Sequence, residues 1–462
     1  MSNYPGKLTR YSEGSIHELW AISFPLMLSL LSNTLLTFVD RLMLSKYNTQ
    51  AMNAAVVAWM VFGVFQYSAV AIASISEVFV GQYNGAKKFA HLGEPVWQMI
   101  WFSVMTLFIF IPFGLWGGPL FIPNPEYLQD GVPYFKWLMI FGAAAPLDAA
   151  LSAFFIGQGR GKLIMLITLL SNIVNILLDY VLIFGVSEVI PAMGASGAAI
   201  ATGVAQLLQA LVLLGIFLLP KYKDRFGTHL WRFNSRLFFK AIKIGLPAAI
   251  SNVTELLAWI AFSYILTSSS EAHITIYSIG DSFFVLFGFA FWGLQRGVTS
   301  LVANYLGANR EEMVSEALQA GVKIVFIISL VVFIPLFFYP EFLIKQFLEG
   351  ESGYLMNEEL VSYATQSMRW LWLYFVVDVL SWLFAGVLTA AGDTKFVMMM
   401  NSASAWLVCV IPTYICLYYF EGSPVFAWQI SVLYGLINAM AFLWRYRSKR
   451  WEVSMQQLQV VT

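Results

Sequence analysis

Carboxylate and amide side chains occur inside long apolar stretches of this sequence, where polar groups are costly. Asn175 and Asp179 are four residues apart, so on a helix they project from the same face. Asp40 and Thr202, in two other apolar stretches, add a carboxylate and a hydroxyl oxygen. Such oxygens suit a hard cation such as Na⁺, while burial beside a like charge also favours a protonated carboxyl group. The four residues therefore predict a site that would serve either Na⁺ or H⁺.

A second set of the same kind lies farther along the chain. Tyr374 and Asp378 have the same four-residue spacing, and Glu255 lies in another apolar stretch. Together they would place two carboxylates and a phenol in the second half of the chain. This set predicts either a second cation site or a tyrosine-carboxylate bridge that holds two helices together.

Further charged residues fall inside apolar stretches without matching either set. They are Glu77, Asp148, Asp281 and Arg296. An ionised side chain at the centre of a bilayer costs about 2.5–3.5 kcal/mol on insertion scales. Such residues lie near helix ends, form buried pairs or take part in function, and the sequence leaves these alternatives open.

The composition of the chain explains why these residues stand out. Of 462 residues, 59% are hydrophobic and 11% are charged, and the mean hydropathy is +0.72, whereas soluble domains carry about 25% charged residues. Backbone groups in lipid must be hydrogen-bonded internally, so stretches of this length predict helices instead of barrel strands. The fold is predicted to be an all-α polytopic membrane protein.

Twelve membrane spans are predicted, at 18–43, 51–80, 93–118, 132–157, 163–187, 194–220, 240–267, 273–304, 317–343, 364–391, 396–420 and 424–447. Connections on alternate sides differ in charge. The basic set includes Lys87, Lys88, Arg160, Lys162, Arg310, Lys395, Arg445, Arg447, Lys449 and Arg450, and the acidic set includes Glu126, Asp130, Glu188, Glu349, Glu351, Glu358 and Glu359. By the positive-inside rule the basic set and both termini are cytoplasmic, and the predicted location is the inner (cytoplasmic) membrane.

The chain also repeats itself. Matching residues separated by 222 positions include Pro25 and Pro247, Ser29 and Ser251, Tyr83 and Tyr305, and Gly85 and Gly307. A basic linker, residues 221–243, carries seven Lys or Arg against one Asp between the copies. We therefore predict two six-helix lobes, residues 1–225 and 226–462, related as parallel repeats.

Short motifs at the predicted helix ends and faces are characteristic of a known family. They are Pro25 followed by Phe38-Val39-Asp40, then Gln82-Tyr83-Asn84-Gly85-Ala86, Asn175–Asp179, Gly194–Thr202, the set Glu255, Tyr374 and Asp378, and Gly392-Asp393-Thr394-Lys395. In these motifs the chain resembles the multidrug and toxic compound extrusion (MATE) transporters, and in particular the bacterial NorM-like and DinF-like branches, over nearly its full length.

This resemblance implies a secondary active antiporter that exports small cationic or amphipathic organic compounds in exchange for H⁺ or Na⁺. It implies that Asp40, Asn175, Asp179 and Thr202 couple cation entry to substrate exit. Pro25 frees a backbone carbonyl in the first helix, and we interpret that helix as a gating helix that bends there. No cofactor is expected besides the coupling ion. The expected partners are a small-molecule substrate and the lipid bilayer, and no nucleic acid is expected to bind. The protein is expected to be a monomer.

Two other functions compete with this interpretation. A lipid-linked oligosaccharide flippase of the wider superfamily would need basic residues in its central cavity, for which Arg296 is the clear candidate. A membrane-embedded enzyme would need a nucleophile-base pair or a metal cluster, yet all four histidines, His17, His91, His229 and His273, fall at or outside span ends. The sequence therefore favours a transporter over an enzyme.

Overall fold

A computed structural model describes residues 8–122, 124–186, 189–348 and 358–458. Within these ranges the chain is helical, without a β-strand, and a single β-bridge joins Val186 and Ile190. The predicted all-α fold is confirmed. Of the predicted acidic set, Glu188, Glu349 and Glu351 lie outside the described residues.

Twelve of the described helices are long and apolar enough to cross a membrane, as predicted. They are α1 Ile16–Tyr47, α2 Thr49–Gly85, α3 Phe89–Trp116, α4 Pro125–Ile156, α5 Gly161–Phe184, α6 Gly194–Phe217, α7 Ser235–Ser269, α8 Glu271–Gly307, α9 Glu312–Phe338, α10 Glu358–Ala390, α11 Thr394–Phe420 and α12 Phe426–Arg447. Short helices cover Gly118–Phe121, Pro220–Phe226, Pro340–Leu348 and Trp451–Leu458. The predicted spans agree with these helices to within several residues.

Prolines account for local departures from regular α-helix. The end of α9 widens into a π-helical segment at Ile334–Phe338, which contains Pro335, and α11 widens at Ala405–Val410, just before Pro412. A proline inside a helix removes an amide donor and crowds the preceding turn, and a π-segment accommodates both effects. The span predicted to run to residue 343 ends at Phe338 instead, because a separate helix begins at Pro340.

The chain forms two compact units that are not contiguous in sequence. Among the described residues, the first contains those within 8–9, 24–252 and 300–310, and the second contains those within 10–23, 253–299 and 311–458. In α1 the chain passes from one unit to the other between Ser23 and Phe24, one residue before Pro25. The lobe boundary predicted at residues 225 and 226 stays a prediction.

In the first unit, small residues let two helices come together at the predicted cation site. Helices α5 and α6 pack along each other, and a Cβ atom added to Gly197 of α6 would lie 2.5 Å from the backbone oxygen of Leu182 on α5. A larger residue at position 197 would therefore push the helices apart. This close approach brings Thr202, about one and a half turns farther along α6, beside the polar face of α5.

The repeated glycines Gly85 and Gly307 pack against each other's motif in the same unit. A Cβ atom on Gly85 would overlap the backbone carbonyl of Asn304, and a Cβ atom on Gly307 would overlap that of Gln82. The two contacts are related by the 222-residue register, since Gln82 and Asn304 are also repeat partners. Asn84 Nδ2 further donates to Asn304 Oδ1 at 2.7 Å. The ends of α2 and α8 thus make one reciprocal contact, which we call the paired-glycine contact.

In the second unit α10 packs along α12 and also contacts α9. Gly435 of α12 faces the backbone of Asp378, where an added Cβ would lie 3.4 Å from the Asp378 nitrogen. The glycine keeps α12 close to α10 at the level of the second predicted site.

Candidate functional site

Three helices of the first unit supply the predicted cation cluster. Asp40 lies near the end of α1, Asn175 and Asp179 lie one turn apart on α5, and Thr202 lies on α6. Asn175 and Asp179 are almost completely buried, with 1% and 0% exposure, while Asp40 is half-buried. The structure therefore brings together all four predicted residues at a largely desolvated place.

Asn175 is the centre of this cluster. With its amide oriented so that the nitrogen faces Asp179, Asn175 Nδ2 donates to Asp179 Oδ2 at 2.6 Å. In the same orientation Asn175 Oδ1 accepts from the backbone nitrogen of Thr202 at 3.2 Å. Thr202 thus contacts the cluster through its backbone amide, and the role of its hydroxyl oxygen as a cation ligand stays a prediction. The amide of Asn175 fixes the position of the Asp179 carboxylate relative to α6.

The two carboxyl groups of the cluster interact directly. The side chains of Asp40 and Asp179 lie within hydrogen-bonding reach of each other. Two carboxyl groups form such a bond only when one of them carries a proton, and a cation between them would satisfy both charges in its place. One oxygen of each group, Oδ1, is buried and has no hydrogen-bond partner in the described part of the chain. The pair therefore has the oxygen atoms and the charge to take up a proton or a small cation.

Tyr134 of α4 lies near this cluster and was not predicted from the sequence. It is buried, with 8% exposure, and lies close enough to interact electrostatically with both Asp40 and Asp179. Its neighbourhood in the sequence, Tyr134-Phe135-Lys136-Trp137, has no spacing that distinguishes a site residue from a packing aromatic. Only the packing of α4 on α2 and α6 places it here.

Polar contacts continue along α5 away from the carboxylate pair. Asn172 Nδ2 donates to Ser32 Oγ at 2.7 Å and to Asn33 Oδ1 at 3.0 Å, which ties α5 to α1. Farther along, Gln209 Nε2 of α6 donates to Asp148 Oδ1 of α4 at 2.9 Å. One of the charged residues whose role the sequence left open, Asp148, is thus held by a helix-to-helix hydrogen bond.

The second predicted set is assembled in the second unit. Tyr374 and Asp378 lie one turn apart on α10 and are both buried, and Asp378 interacts electrostatically with Glu255 of α7. Asp378 Oδ2 also accepts from Trp382 Nε1 at 2.9 Å, one turn farther along α10. The two carboxylates are therefore near enough to interact electrostatically, and Trp382 of the same helix donates a hydrogen bond to one of them.

Aromatic rings surround this second set, and two of them were missed by sequence reasoning. Trp428 of α12 lies 6.0 Å from the ring of Tyr374, and its buried Nε1 has no hydrogen-bond partner in the part of the chain that the structure describes. Tyr434, also on α12, interacts electrostatically with both Glu255 and Asp378. No motif marks these residues, because aromatics are common throughout the chain. Two carboxylates among aromatic faces suit an organic or inorganic cation.

The remaining charged residues stay without an assigned role. Glu77 is buried in α2, and Asp281 and Arg296 of α8 are half-buried. The sequence left open whether they form pairs or take part in function, and those alternatives stay predictions.

Comparison with known proteins connects these sites to a family. The MatE family model matches residues 25–181 and, separately, residues 247–415. The two matched segments begin at Pro25 and Pro247, 222 residues apart, which is the register of the internal repeat. Both candidate sites have residues within the matched segments.

Relatives and solved structures also point to the family that the MatE model describes. A probable multidrug resistance protein NorM from Thermotoga maritima is 23% identical over 440 residues, covering 94% of this chain and 93% of that protein. A crystal structure of MATE in the straight conformation superposes with a TM-score of 0.83 at 17% identity, covering 98% of this chain and all of the other. A MOP superfamily transporter from Pyrococcus furiosus superposes with a TM-score of 0.82 at 18% identity, covering 98% of this chain and 99% of that one. These structures share the fold of this chain.

Proposed function

Because the chain belongs to the MATE family, whose model matches more than half of it, we propose that this drug efflux transporter is a secondary active antiporter driven by H⁺ or Na⁺. Its substrates are small cationic or amphipathic organic compounds. The protein is a multi-pass membrane protein with twelve candidate spans in the part of the chain that the structure describes. It works as a monomer in the inner membrane, with both termini cytoplasmic, and uses no cofactor besides the coupling ion and no nucleic acid.

The observation that carries this proposal is the carboxylate pair Asp40 and Asp179. The two groups are within hydrogen-bonding reach, and each keeps a buried oxygen without a partner in the described residues. A pair in this setting needs a positive charge, and either a proton or Na⁺ supplies it. Binding from the outside and release to the inside would couple the ion gradient to substrate export.

Coupling requires that the ion binds the two transport states with different affinity. The cluster has a physical basis for such a difference in affinity. Asn175 holds Asp179 on α5 and the backbone of Thr202 on α6 together, whereas Asp40 belongs to another helix, α1. A shift of α1 relative to α5 would open the carboxylate pair and leave the rest of the cluster intact. The ion would then be bound in one arrangement and released in the other.

Pro25 is the candidate hinge for such a shift. It lies inside α1, one residue beyond the point at which the chain passes from one compact unit to the other. Ser29 Oγ donates to the backbone oxygen of Pro25 at 3.0 Å, so a side-chain hydrogen bond stabilises the helical turn that follows the proline. Bending of α1 at Pro25 would move Asp40, about four turns farther along the same helix.

The second set, Glu255, Tyr374 and Asp378, is the alternative binding place for the coupling ion. Its carboxylates interact electrostatically with each other and with Tyr434, and Trp428 lies beside the ring of Tyr374. The first cluster has the richer set of amide and carboxylate ligands, and we therefore assign coupling to it.

Transport into everted membrane vesicles tests the proposed function. A fluorescent organic cation should accumulate on energisation, and the accumulation should collapse with an uncoupler or on removal of Na⁺. Asp40→Asn should abolish accumulation, while Glu271→Gln, which removes an exposed carboxylate at the start of α8, should leave it unchanged. Accumulation that survives both the uncoupler and Na⁺ removal would disprove ion-driven antiport.

A further inference from the structure

The linker between α6 and α7 forms a basic surface that also contains exposed aromatic side chains. We call it the linker surface, and its exposed members are Lys221, Lys223, Arg225, Trp231, Arg232, Phe233 and Arg236. The one acidic residue among them is Asp224, also exposed. In the described ranges none of the five basic side chains forms an ion pair with a carboxylate. A positive surface of this kind attracts anionic groups outside the chain.

The first part of the linker surface is held rigidly by its opposite face. In the short helix Pro220–Phe226, Tyr222 and Phe226 are buried against Phe154 of α4, with ring centroids 6.0 and 5.8 Å away. Arg160 Nη1 donates to the Tyr222 hydroxyl at 2.9 Å. Because the two aromatic side chains of this helix pack against α4, its two lysines and its arginine are exposed on the other face.

The second part runs alongside the first turns of α3, to which it is tied by hydrogen bonds. Trp97 Nε1 donates to the backbone oxygen of Thr228 at 2.8 Å, and Trp101 Nε1 donates to that of Trp231 at 2.9 Å. Gln98 accepts from the Asn234 backbone nitrogen at 2.9 Å. The linker therefore reaches the level of Trp101, twelve residues beyond the start of α3 at Phe89, and α3 is long and apolar enough to cross a membrane.

This placement puts exposed aromatics and unpaired basic groups at one end of the membrane helices. Trp231 is 60% exposed and Phe233 is 47% exposed, although both are costly to leave in water. Tryptophan beside lysine and arginine is the composition of segments that lie in the headgroup region, where the rings meet the acyl boundary and the cations meet phosphate. A soluble acidic partner would explain the charge and leave the rings unexplained.

From this juxtaposition we propose that the linker surface binds anionic phospholipids of the adjoining leaflet, with Trp231 and Phe233 in the interface and the basic side chains on the headgroups. Each basic group near an anionic surface is worth about a fivefold gain in binding at moderate ionic strength. Lys221, Lys223 and Arg225 together should therefore give a preference of roughly a hundredfold for anionic over zwitterionic lipid. This inference does not depend on which ion drives transport.

Lipid titration of the purified full-length protein tests the proposal. Delipidated protein in detergent is titrated with phosphatidylglycerol or phosphatidylcholine, and bound lipid is counted by native mass spectrometry. The triple variant Lys221→Gln, Lys223→Gln and Arg225→Gln should lose most of the preference for phosphatidylglycerol. The matched control, Lys46→Gln, Lys136→Gln and Lys345→Gln, removes three exposed charges toward the opposite ends of the membrane helices and should keep the preference within about threefold.

Three results would overturn the proposal. They are an undiminished preference in the linker variant, an equal loss in both triple variants, or a loss that inorganic phosphate at millimolar concentration reproduces in the wild type. A melting temperature measured for both triple variants without added lipid shows whether either has lost its fold. Should the linker variant fail to fold, Lys223→Gln alone, whose side chain is exposed, should still lose about fivefold, and an unchanged preference would reject the proposal.

Discussion

Substitution of Gly85 by alanine tests the paired-glycine contact. The added Cβ would overlap the carbonyl oxygen of Asn304 and lie 2.8 Å from its carbon and 3.0 Å from the Ala308 nitrogen. All three atoms belong to the backbone, so no side chain can rotate away. Ordinary contacts begin near 3.4 Å, so the ends of α2 and α8 must separate by at least about 0.6 Å to clear the carbon alone.

Overpacking of this kind costs about 1–3 kcal/mol, which corresponds to roughly 5- to 150-fold in the population of the packed arrangement. We expect Gly85→Ala to lower the melting temperature in detergent by a few degrees. Gly307→Ala should have a similar effect, because its Cβ would lie 2.6 Å from the Gln82 carbonyl carbon and overlap its oxygen.

Gly215→Ala is the matched control. Gly215 lies in α6 with no heavy atom within 4 Å of the position of an added Cβ. Alanine there should be neutral or stabilise the helix by about 0.5–1 kcal/mol. If Gly85→Ala melts at or above the wild-type temperature, as the control should, the close backbone contact between α2 and α8 is refuted.

Three further outcomes are expected. Asp40→Asn should abolish transport and leave expression and melting near wild type, because removing a buried charge relieves a desolvation cost. Na⁺-dependent stabilisation, measured by melting temperature, should weaken as pH falls because H⁺ and Na⁺ compete for one carboxylate pair, and it should vanish in Asp179→Asn but persist in Asp378→Asn. Arg445→Gln should lower the melting temperature, because Arg445 donates at 2.6 and 3.2 Å to Asp393, which is 4% exposed, and an unpaired buried carboxylate costs roughly 3 kcal/mol.

Each of these outcomes has a result that contradicts it. Loss of the Asp40→Asn protein from the membrane would indicate a structural role for the carboxylate pair. Loss of Na⁺ stabilisation in Asp378→Asn alone would assign the ion to the second unit. An Arg445→Gln variant no less stable than Lys449→Gln, which breaks an exposed pair with Glu452, would show that the Asp393 contact contributes little.

The membrane helices could be predicted from sequence because lipid imposes a simple rule on them. A stretch must be apolar and long enough to span, so the boundaries of α6, predicted at 194–220 and observed at Gly194–Phe217, followed from composition alone. The break before Pro340 was missed, because prolines occur within other membrane helices of this chain, as Pro25 does in α1.

The candidate site was only partly predictable, for a different reason. Asn175 and Asp179 share a helix face by spacing, so their proximity followed from the period of the helix. Tyr134 and Trp428 reach the two sites through the packing of other helices, which no local spacing encodes. The contact of Thr202 through its backbone amide could not be predicted either. It depends on the distance between α5 and α6, which Gly197 keeps short.

The paired-glycine contact has a consequence for the origin of the chain. Gly85 meets the carbonyl of Asn304 as Gly307 meets that of Gln82, so one motif contacts a copy of itself in both directions. That is the geometry of an isologous interface in a two-fold symmetric homodimer. A six-helix ancestor that paired through this motif would already have possessed the contact. Duplication and fusion of its gene would then have joined two chains that already fitted together.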